Sequence, residues 1–117
     1  HYVDVRLKTK KRISSKEEVL DLFRTYNPLQ NLEAPLSPEQ PIVVITEQGR
    51  PRPSHDAFHH DGMAIAVGGI SIEDEVYSLR LTYVVNNLIR GAAGGAVLNA
   101  EVVYAMNGEN ALDRIRT

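Results

Sequence analysis

Residues 86–104, NNLIRGAAGGAVLNAEVVY, constrain the fold more strongly than any other stretch of the sequence. Asparagines at its start can cap a helix, and a run with almost no side-chain bulk follows before Val97 restores apolar packing. Adjacent glycines inside a helix each cost roughly 0.5 to 1 kcal/mol relative to alanine. We therefore expect a strand, a second subunit or a ligand to approach the helix closely at Gly94 and Gly95.

A sheet is predicted by the stretches that precede this helix. Residues 2–8 and 77–85 alternate between apolar and polar side chains, which is the period of half-buried strands. Residues 63–70 are apolar on both faces, as in a central strand covered on two sides, and residues 42–46 are β-branched enough for a short strand. We expect the small-residue face of residues 63–70 to lie close to a helix. The larger side chains of this strand share the opposite face: Met63, Ile65 and Val67.

An amphipathic helix is predicted after the first strand. Ser15 and Glu18 form a capping box ahead of an apolar stripe, and the helix is expected to end near residue 27. The prolines within residues 28–41 predict an irregular connection, and those near the start of residues 49–62 predict a loop. The fold class is therefore α+β, with a mixed, largely antiparallel sheet and two main helices packed on it.

Length and composition fit one domain over residues 1–117. Hydrophobic residues make up 43% and charged residues 24% of the chain, and no apolar run approaches the roughly 20 residues that span a bilayer. The first residues do not resemble a signal peptide. We expect no membrane partner, and we expect a short turn after Asn107.

Charge and cysteine content narrow the chemistry. The net charge of −2 argues against a general nucleic-acid-binding protein, although Lys10, Lys11 and Arg12 form a local basic cluster. This cluster is either a solvated turn, which we favour, or a contact for phosphate or nucleic acid. The sequence contains no cysteine, which excludes thiolate zinc sites and a cysteine nucleophile from this chain and is compatible with a reducing cytosol.

Other polar motifs carry two interpretations each. His55 and His59 have the spacing of two metal ligands on one helical face, but no helix is predicted there and no third ligand is fixed, so we favour a polar loop and predict no metal. Residues 91–95 lack the spacing of a dinucleotide fingerprint or a P-loop, which favours close helix packing over phosphate binding. Asn87 is either the helix N-cap or a ligand contact.

Five short motifs, in order, resemble a known family. They are PIVV at residues 41–44, RPRP at 50–53, GMAIAVG at 62–68, NLIRGAA at 87–93 and VLNAE at 97–101. Together they resemble the C-terminal half of aspartate-semialdehyde dehydrogenase, most closely its archaeal and fungal branch, which also includes malonyl-CoA reductase. The resemblance extends over residues 2–104.

The resemblance implies a fold like the C-terminal domain of glyceraldehyde-phosphate dehydrogenase, and a function in amino-acid biosynthesis. Family members reduce β-aspartyl phosphate to aspartate semialdehyde with NADPH, through a cysteine thioester and a histidine acid-base. The resemblance further implies a cytoplasmic enzyme, a homodimer through the sheet, and NADP bound mainly by a Rossmann domain that residues 1–117 do not contain. Without the cysteine, the chain is expected to be inactive alone. A non-enzymatic dimerisation module and a malonyl-CoA reductase domain are the alternatives.

Two site residues are carried over from the family. Asn87 lies four residues before Gly91, where the family has an Asn or Gln that contacts the nicotinamide carboxamide. His1 is the candidate catalytic histidine, although it sits some two residues too close to the first strand, and a chain-terminal histidine without a role is the alternative. Gly69 replaces an arginine common in the family. Homodimerisation is also expected because the apolar faces of residues 63–70 and 77–85 need a covering layer.

Overall fold

A computed structural model of the chain describes residues 1–73 and 76–107. The short turn expected after Asn107 lies outside these residues. The strands in the described part are β1 (Tyr2–Leu7), β2 (Ile42–Val44), β3 (Ile65–Ile72) and β4 (Leu79–Val84). The α-helices there are α1 (Lys16–Thr25), α2 (Pro53–Asp56) and α3 (Gly94–Asn107). A 3-10 turn at His59–Gly62 precedes β3, and a π-helical turn at Ile89–Ala93 precedes α3.

The strands form one mixed sheet in the order β1-β4-β3-β2. β4 runs antiparallel to both β1 and β3, while β2 runs parallel to β3. The register between β3 and β4 shifts between Gly68 and Ser71, and Gly69 adopts a φ of +57° at this irregularity. The predicted α+β class with a largely antiparallel sheet is confirmed.

Helix α1 begins where the capping box predicts. Ser15 is the N-cap, and its side chain accepts a hydrogen bond from the Glu18 amide at 3.2 Å. The Glu18 carboxylate accepts from the Ser14 hydroxyl at 2.5 Å. Acidic residues in the first turn and Arg24 in the last complement the helix dipole. The predicted helix and its end near residue 27 are confirmed.

The main apolar cluster lies between α1 and one face of the sheet. Its buried members are Val19, Leu20, Val67, Ile70, Leu79 and Leu81. Tyr83 packs against this cluster and is half-buried. Leu79, Leu81 and Tyr83, on the apolar face of β4 that was expected to seek a second subunit, therefore pack in the same cluster as Val19 and Leu20 of α1.

A second, smaller cluster joins α3 to the connection between residues 28 and 41. It consists of Ala34, Met63 and Leu98, with Ile89 and Val102 among the partly buried residues packed against it. The expectation that Met63 shares a strand face with Val67 is wrong, because β3 begins only at Ile65 and Met63 packs beneath α3.

The small-residue face of β3 is covered by a loop at Gly68. A Cβ atom on Gly68 would lie 2.7 Å from the Arg50 carbonyl oxygen and 2.7 Å from Cδ of Pro51. The expectation of a helix at this point is therefore wrong. The Arg50–Pro51 peptide bond is cis. None of the helices formed by the described residues has the length and apolar character needed to cross a membrane.

Candidate functional site

The chain turns sharply where β4 leads into the π-helical turn, and Asn86 holds this corner. Asn86 is 8% exposed, and its Oδ1 atom accepts hydrogen bonds from the amides of Leu88 at 3.1 Å and Ile89 at 3.0 Å. Asn86 thus satisfies amides that the start of a helix leaves unpaired. The N-cap interpretation of Asn87 is wrong, since the capping side chain is that of its neighbour.

The same asparagine ties the corner to the loop before β3. Its Nδ2 atom donates to the Ala57 carbonyl at 3.2 Å. Gly62 packs against the corner with a φ of +83°, and a Cβ atom there would lie 2.9 Å from Cδ1 of Ile89 and 3.2 Å from Nδ2 of Asn86. Only glycine fits this position, because it needs both the positive φ and the absence of a side chain.

Asn87 itself is exposed at the mouth of the π-helical turn. Its side chain forms no hydrogen bond with residues 1–73 or 76–107, so both its donor and its acceptor can face a ligand. Leu88 beside it is 78% exposed. The Gly91 amide bonds to the Asn86 carbonyl at 2.9 Å, which gives the wide turn its π character. Such turns are frequent at functional sites.

His1 lies at the same end of the sheet as Asn87. Its backbone nitrogen donates to the Val85 carbonyl at 2.7 Å, and the Val85 amide donates to the His1 carbonyl at 3.0 Å. These bonds extend the pairing of β1 with β4 to the residue that lies two positions before Asn87. His1 is exposed. His1 and Asn87 thus lie at the same end of the sheet.

A buried ionic cluster lies in the loop that Asn86 contacts, and sequence analysis missed it. Asp56 is 0% exposed, and its carboxylate accepts from Nη2 of Arg50 at 2.5 Å and Nε of Arg50 at 3.2 Å. It also accepts from the Arg52 amide at 2.7 Å and lies 2.9 Å from Nε2 of His59. The sequence signal for this arrangement is a proline at the first position of a short helix with an acid in its first turn. The acid, Asp56, accepts a hydrogen bond from the amide of Arg52, the residue before the proline.

The cluster fixes the protonation of its carboxylate. Burial by itself would raise the pKa of Asp56, but the hydrogen bonds from Arg50, the Arg52 amide and His59 outweigh it and hold that pKa well below its ordinary value. The bonds to Asp56 and Glu47 raise the pKa of Arg50 further above its usual range. Asp56 is therefore a charged anchor across the neutral pH range.

The histidine loop does not have the arrangement of a metal site. Helix α2 ends at Asp56, so His55 and His59 do not share a helical face. His55 Nδ1 lies 2.8 Å from the Ser54 hydroxyl, while His59 bonds to Asp56. Among residues 1–73 and 76–107, no group of three His, Cys, Asp or Glu side chains is placed to hold a metal ion.

The paired glycines of α3 make close contacts within the chain, whereas the sequence predicts a strand, a second subunit or a ligand at this point. A Cβ atom on Gly94 would lie 2.6 Å from Sδ of Met63, and one on Gly95 would collide with the Arg90 carbonyl. The near neighbours are thus Met63, which leads into β3, and the preceding π-helical turn. This geometry agrees with the helix-packing interpretation of residues 91–95.

The basic cluster lies at the opposite end of the sheet, on the turn that follows β1. Lys10, Lys11 and Arg12 are exposed there. Lys11 and Arg12 line a groove of about 410 Å³ together with Ile72 at the end of β3 and with Tyr77 and Ser78, which precede β4. The groove and the corner that carries Asn87 lie at opposite ends of β4.

Comparison with known proteins identifies relatives of the chain, although no family model matches it. Aspartate-semialdehyde dehydrogenase from Methanothermobacter thermautotrophicus is 41% identical over 93 residues, which cover 78% of this chain and 26% of that protein. The enzyme of the same name from Archaeoglobus fulgidus is 39% identical over 89 residues, 76% of this chain and 25% of that protein. Malonyl CoA reductase (NADP) from Metallosphaera sedula is 38% identical over 76 residues, 63% of this chain and 21% of that protein.

A solved structure agrees with these relatives. The crystal structure of aspartate-semialdehyde dehydrogenase with NADP from Candida albicans superposes with a TM-score of 0.77 at 29% identity, over 91% of this chain and 30% of that one. The chain spans about a quarter of the length of the curated relatives it matches. The resemblance to archaeal and fungal aspartate-semialdehyde dehydrogenases is confirmed, and the chain is homologous to their C-terminal portion.

Proposed function

We propose that residues 1–117 form the C-terminal substrate and dimerisation domain of an NADP-dependent aspartate-semialdehyde dehydrogenase. The whole enzyme would reduce β-aspartyl phosphate to aspartate semialdehyde in the cytoplasm, as a step of amino-acid biosynthesis. The observation that carries the proposal is the structural match over 91% of the chain to an enzyme solved with NADP. The placement of His1 and Asn87 at one end of the sheet supports it.

Asn87 is the residue that we assign to the cofactor. Its exposed carboxamide offers one acceptor and two donor hydrogens, which complement the carboxamide of a nicotinamide ring. Asn86 holds the adjacent backbone, so the side chain of Asn87 projects from a fixed corner. Bound NADPH supplies the hydride for the reduction. The contribution of Asn87 is to orient the ring that carries it.

His1 is the residue that we assign to proton transfer. An imidazole has an ordinary pKa near 6.5, so it can hold or release a proton at neutral pH. Its exposed position beside Val85 leaves the ring open to a substrate at the same end of the sheet. In this role His1 would donate a proton to the carbonyl oxygen or accept one from the attacking nucleophile.

The cysteine nucleophile would come from outside residues 1–117, and so would the Rossmann domain that makes most of the cofactor contacts. The sequence has no cysteine, so the chain alone is expected to be inactive. Exposed apolar side chains on and before α3 support a partner domain on that side. Leu88 is 78% exposed, Val97 50% and Tyr104 45%, and Val97 and Tyr104 lie two turns apart on one helical face.

We also propose a homodimer through the sheet. Since α1 covers one face of the sheet, the dimer would use the other, where Asp4, Arg6 and Arg80 form an exposed ionic network. Sedimentation equilibrium of the assembled enzyme at micromolar concentration is expected to give the mass of a dimer. A monodisperse monomer in the assembled enzyme would rule this arrangement out.

Malonyl-CoA reduction is the second candidate function, since the Metallosphaera sedula malonyl CoA reductase is 38% identical over 63% of this chain. The two functions share the same domain arrangement and differ in the acyl group that is reduced. A substrate comparison in one assembled enzyme separates them.

A chimaera tests the proposed function. This chain would replace the matching quarter of the Methanothermobacter thermautotrophicus enzyme, and NADP reduction would be followed with aspartate semialdehyde and phosphate. We expect turnover in the chimaera and none in the isolated chain. Oxidation of NADPH with malonyl-CoA, but no reaction with aspartate semialdehyde, would support the second candidate. A folded chimaera inactive on both substrates would favour a non-enzymatic dimerisation module.

Asn87→Ala tests the cofactor contact in that chimaera. The loss of one hydrogen-bonding carboxamide is expected to raise the Kd of NADPH about five- to tenfold. Fluorescence titration measures this constant without requiring turnover. Asn99→Ala is the matched control, because Asn99 is another exposed asparagine on the following helix. Equal affinities in the two variants would contradict the assignment.

A further inference from the structure

We propose that Asp56 is a positioning residue for the cofactor side of the site and acts through Asn86. The carboxylate holds the loop whose Ala57 carbonyl receives the Asn86 side chain, and Asn86 in turn fixes the backbone on both sides of Asn87. This inference rests on the proposed function for its cofactor part, while its structural part can be measured in the isolated chain.

The first step is the grip of Asp56 on its own loop. One fully buried carboxylate binds the Arg50 guanidinium, the Arg52 amide and the His59 ring. These partners lie on both sides of Asp56 in the sequence. The chain from Arg50 to His59 is therefore folded around a single charge, and the Ala57 carbonyl lies inside the folded segment.

The second step is the attachment of this loop to the sheet. The Arg50 carbonyl and the Pro51 ring lie so close to β3 that a Cβ atom on Gly68 would meet both at 2.7 Å. Pro51 is buried at this contact. The ionic cluster is thus built on the central strand, which gives the loop a rigid base.

The third step is the hydrogen bonding of Asn86, which makes the position of the corner depend on that of the loop. Asn86 donates from Nδ2 to the Ala57 carbonyl at 3.2 Å and accepts at Oδ1 from the amides of Leu88 and Ile89. One carboxamide therefore joins the loop to the residues on the far side of Asn87. Because both ends of this carboxamide are occupied, a shift of the loop must move the corner or break a hydrogen bond.

Glu47 provides an internal comparison for this path. Its carboxylate also binds Arg50, at 2.8 Å from Nη1, but its side chain is 69% exposed and, within residues 1–73 and 76–107, hydrogen-bonds to no residue other than Arg50. Removing the charge of Glu47 takes a partner from Arg50 without loosening the Ala57 carbonyl. Glu47→Gln is therefore the matched control for Asp56→Asn.

Amide hydrogen exchange in the isolated chain tests the structural part. In Asp56→Asn, the Leu88 and Ile89 amides are expected to exchange about tenfold faster. Loss of the free energy of about one hydrogen bond gives a change of this size. The Val19 and Leu20 amides of α1 report any general loss of stability. Glu47→Gln is expected to change neither pair. Unchanged exchange at Leu88 and Ile89 in Asp56→Asn, whatever the change at Val19 and Leu20, would overturn the proposal.

Asn86→Asp provides a second variant in case Asp56→Asn does not fold. An aspartate keeps an acceptor for the Leu88 and Ile89 amides but cannot donate to the Ala57 carbonyl, so it breaks the link and retains the cap. In the chimaera, its NADPH Kd is expected to rise about five- to tenfold. An unchanged Kd in this variant would overturn the role of the link.

A double-mutant cycle separates positioning from a general structural effect. If Asp56 acts through Asn86, Asp56→Asn raises the NADPH Kd in the parent chimaera but adds less than about twofold in the Asn86→Asp background. Full additivity would overturn the proposal. If the parent chimaera fails to bind NADPH, the proposed function fails, and the exchange rates of the Leu88 and Ile89 amides still decide whether Asp56 holds the corner.

Discussion

Helices α1 and α3 are held in the domain by different kinds of contact. α1 buries Val19 and Leu20 against residues of β3 and β4, in the larger apolar cluster. α3 buries only Leu98 among its described residues, beside Ala34 and Met63, and leaves Val97 and Tyr104 exposed. The half of the domain around α1 is held by apolar area, and the half around α3 by a small cluster and specific hydrogen bonds.

This difference indicates where single substitutions should act most strongly. Burial of apolar area is distributed over many atoms, so the loss of one side chain removes a part of it. When a buried charge loses its partner, or when an added atom enters a close backbone contact, no neighbouring group compensates for the change. We therefore expect the α3 half to be sensitive at a few polar and glycine positions, and the α1 half at its aliphatic positions.

Asp56→Asn is expected to have the largest effect. The change leaves the Arg50 charge without its buried partner, and the loss of one member of such a pair costs about 3 to 5 kcal/mol of the free energy of unfolding. Urea denaturation of the purified chain measures it. The control is Asp4→Asn, since Asp4 also binds an arginine through two bonds but lies on the sheet surface. Similar losses in both variants would remove the distinction between the two ionic clusters.

The same carboxylate sets an acid dependence. The pKa of Asp56 is lower in the folded chain than in the unfolded chain, so its contribution is complete above the ordinary Asp value of about 3.9 and is lost as the pH falls toward the folded pKa. Melting temperatures measured from pH 7 to pH 2 are expected to fall at the acid end. The Asp56→Asn variant should show a shallower fall, and an identical slope would contradict this account.

Leu20→Ala is the corresponding test of the α1 half. Leu20 is 4% exposed in the larger cluster, and truncation of such a leucine costs about 2 to 5 kcal/mol through lost burial and the cavity that remains. Leu22→Ala is the control on the same helix, because Leu22 is 64% exposed. A loss in Leu20→Ala no larger than that in Leu22→Ala would show that α1 does not depend on this cluster.

Gly95→Ala tests the close contact at the start of α3. The new Cβ atom would meet the Arg90 carbonyl, which is backbone and cannot rotate away, so we expect a loss of about 1 to 3 kcal/mol. Gly91→Ala in the adjoining turn is the control. Its Cβ atom would lie at an ordinary 3.4 Å from its nearest neighbours, and the variant should be neutral or more stable. The reverse order of stabilities would contradict the packing found here.

The sequence predicts the α1 half well because its signals are local or periodic. The alternation in β1 and β4 identifies their buried faces, and Ser15 with Glu18 marks the start of α1. These features depend on which face of an element is buried. The fold of this half follows from that information.

The α3 half was less predictable because its contacts join segments that no pattern links. The capping side chain is that of Asn86 and not that of Asn87. Asn86 also donates to the Ala57 carbonyl, in a loop 29 residues earlier in the chain. The Asp56 cluster likewise depends on how a proline-rich loop folds over β3. Asn87 and His1 were selected through the family resemblance, and the structure places both at the same end of the sheet.

Ser15→Ala is expected to have the smallest effect and completes the comparison of the helices. Its loss removes one hydrogen bond to the Glu18 amide, which costs about 1 kcal/mol, and Ser15→Asp should keep the stability because it retains an acceptor at the helix start. Asn86→Ala should cost more, since Asn86 caps its turn and also holds the Ala57 carbonyl. Equal losses in Ser15→Ala and Asn86→Ala, measured by urea denaturation, would show that the bond to the loop adds nothing. The corner before α3 would then be an ordinary cap, and the two helices would differ only in the apolar area that they bury.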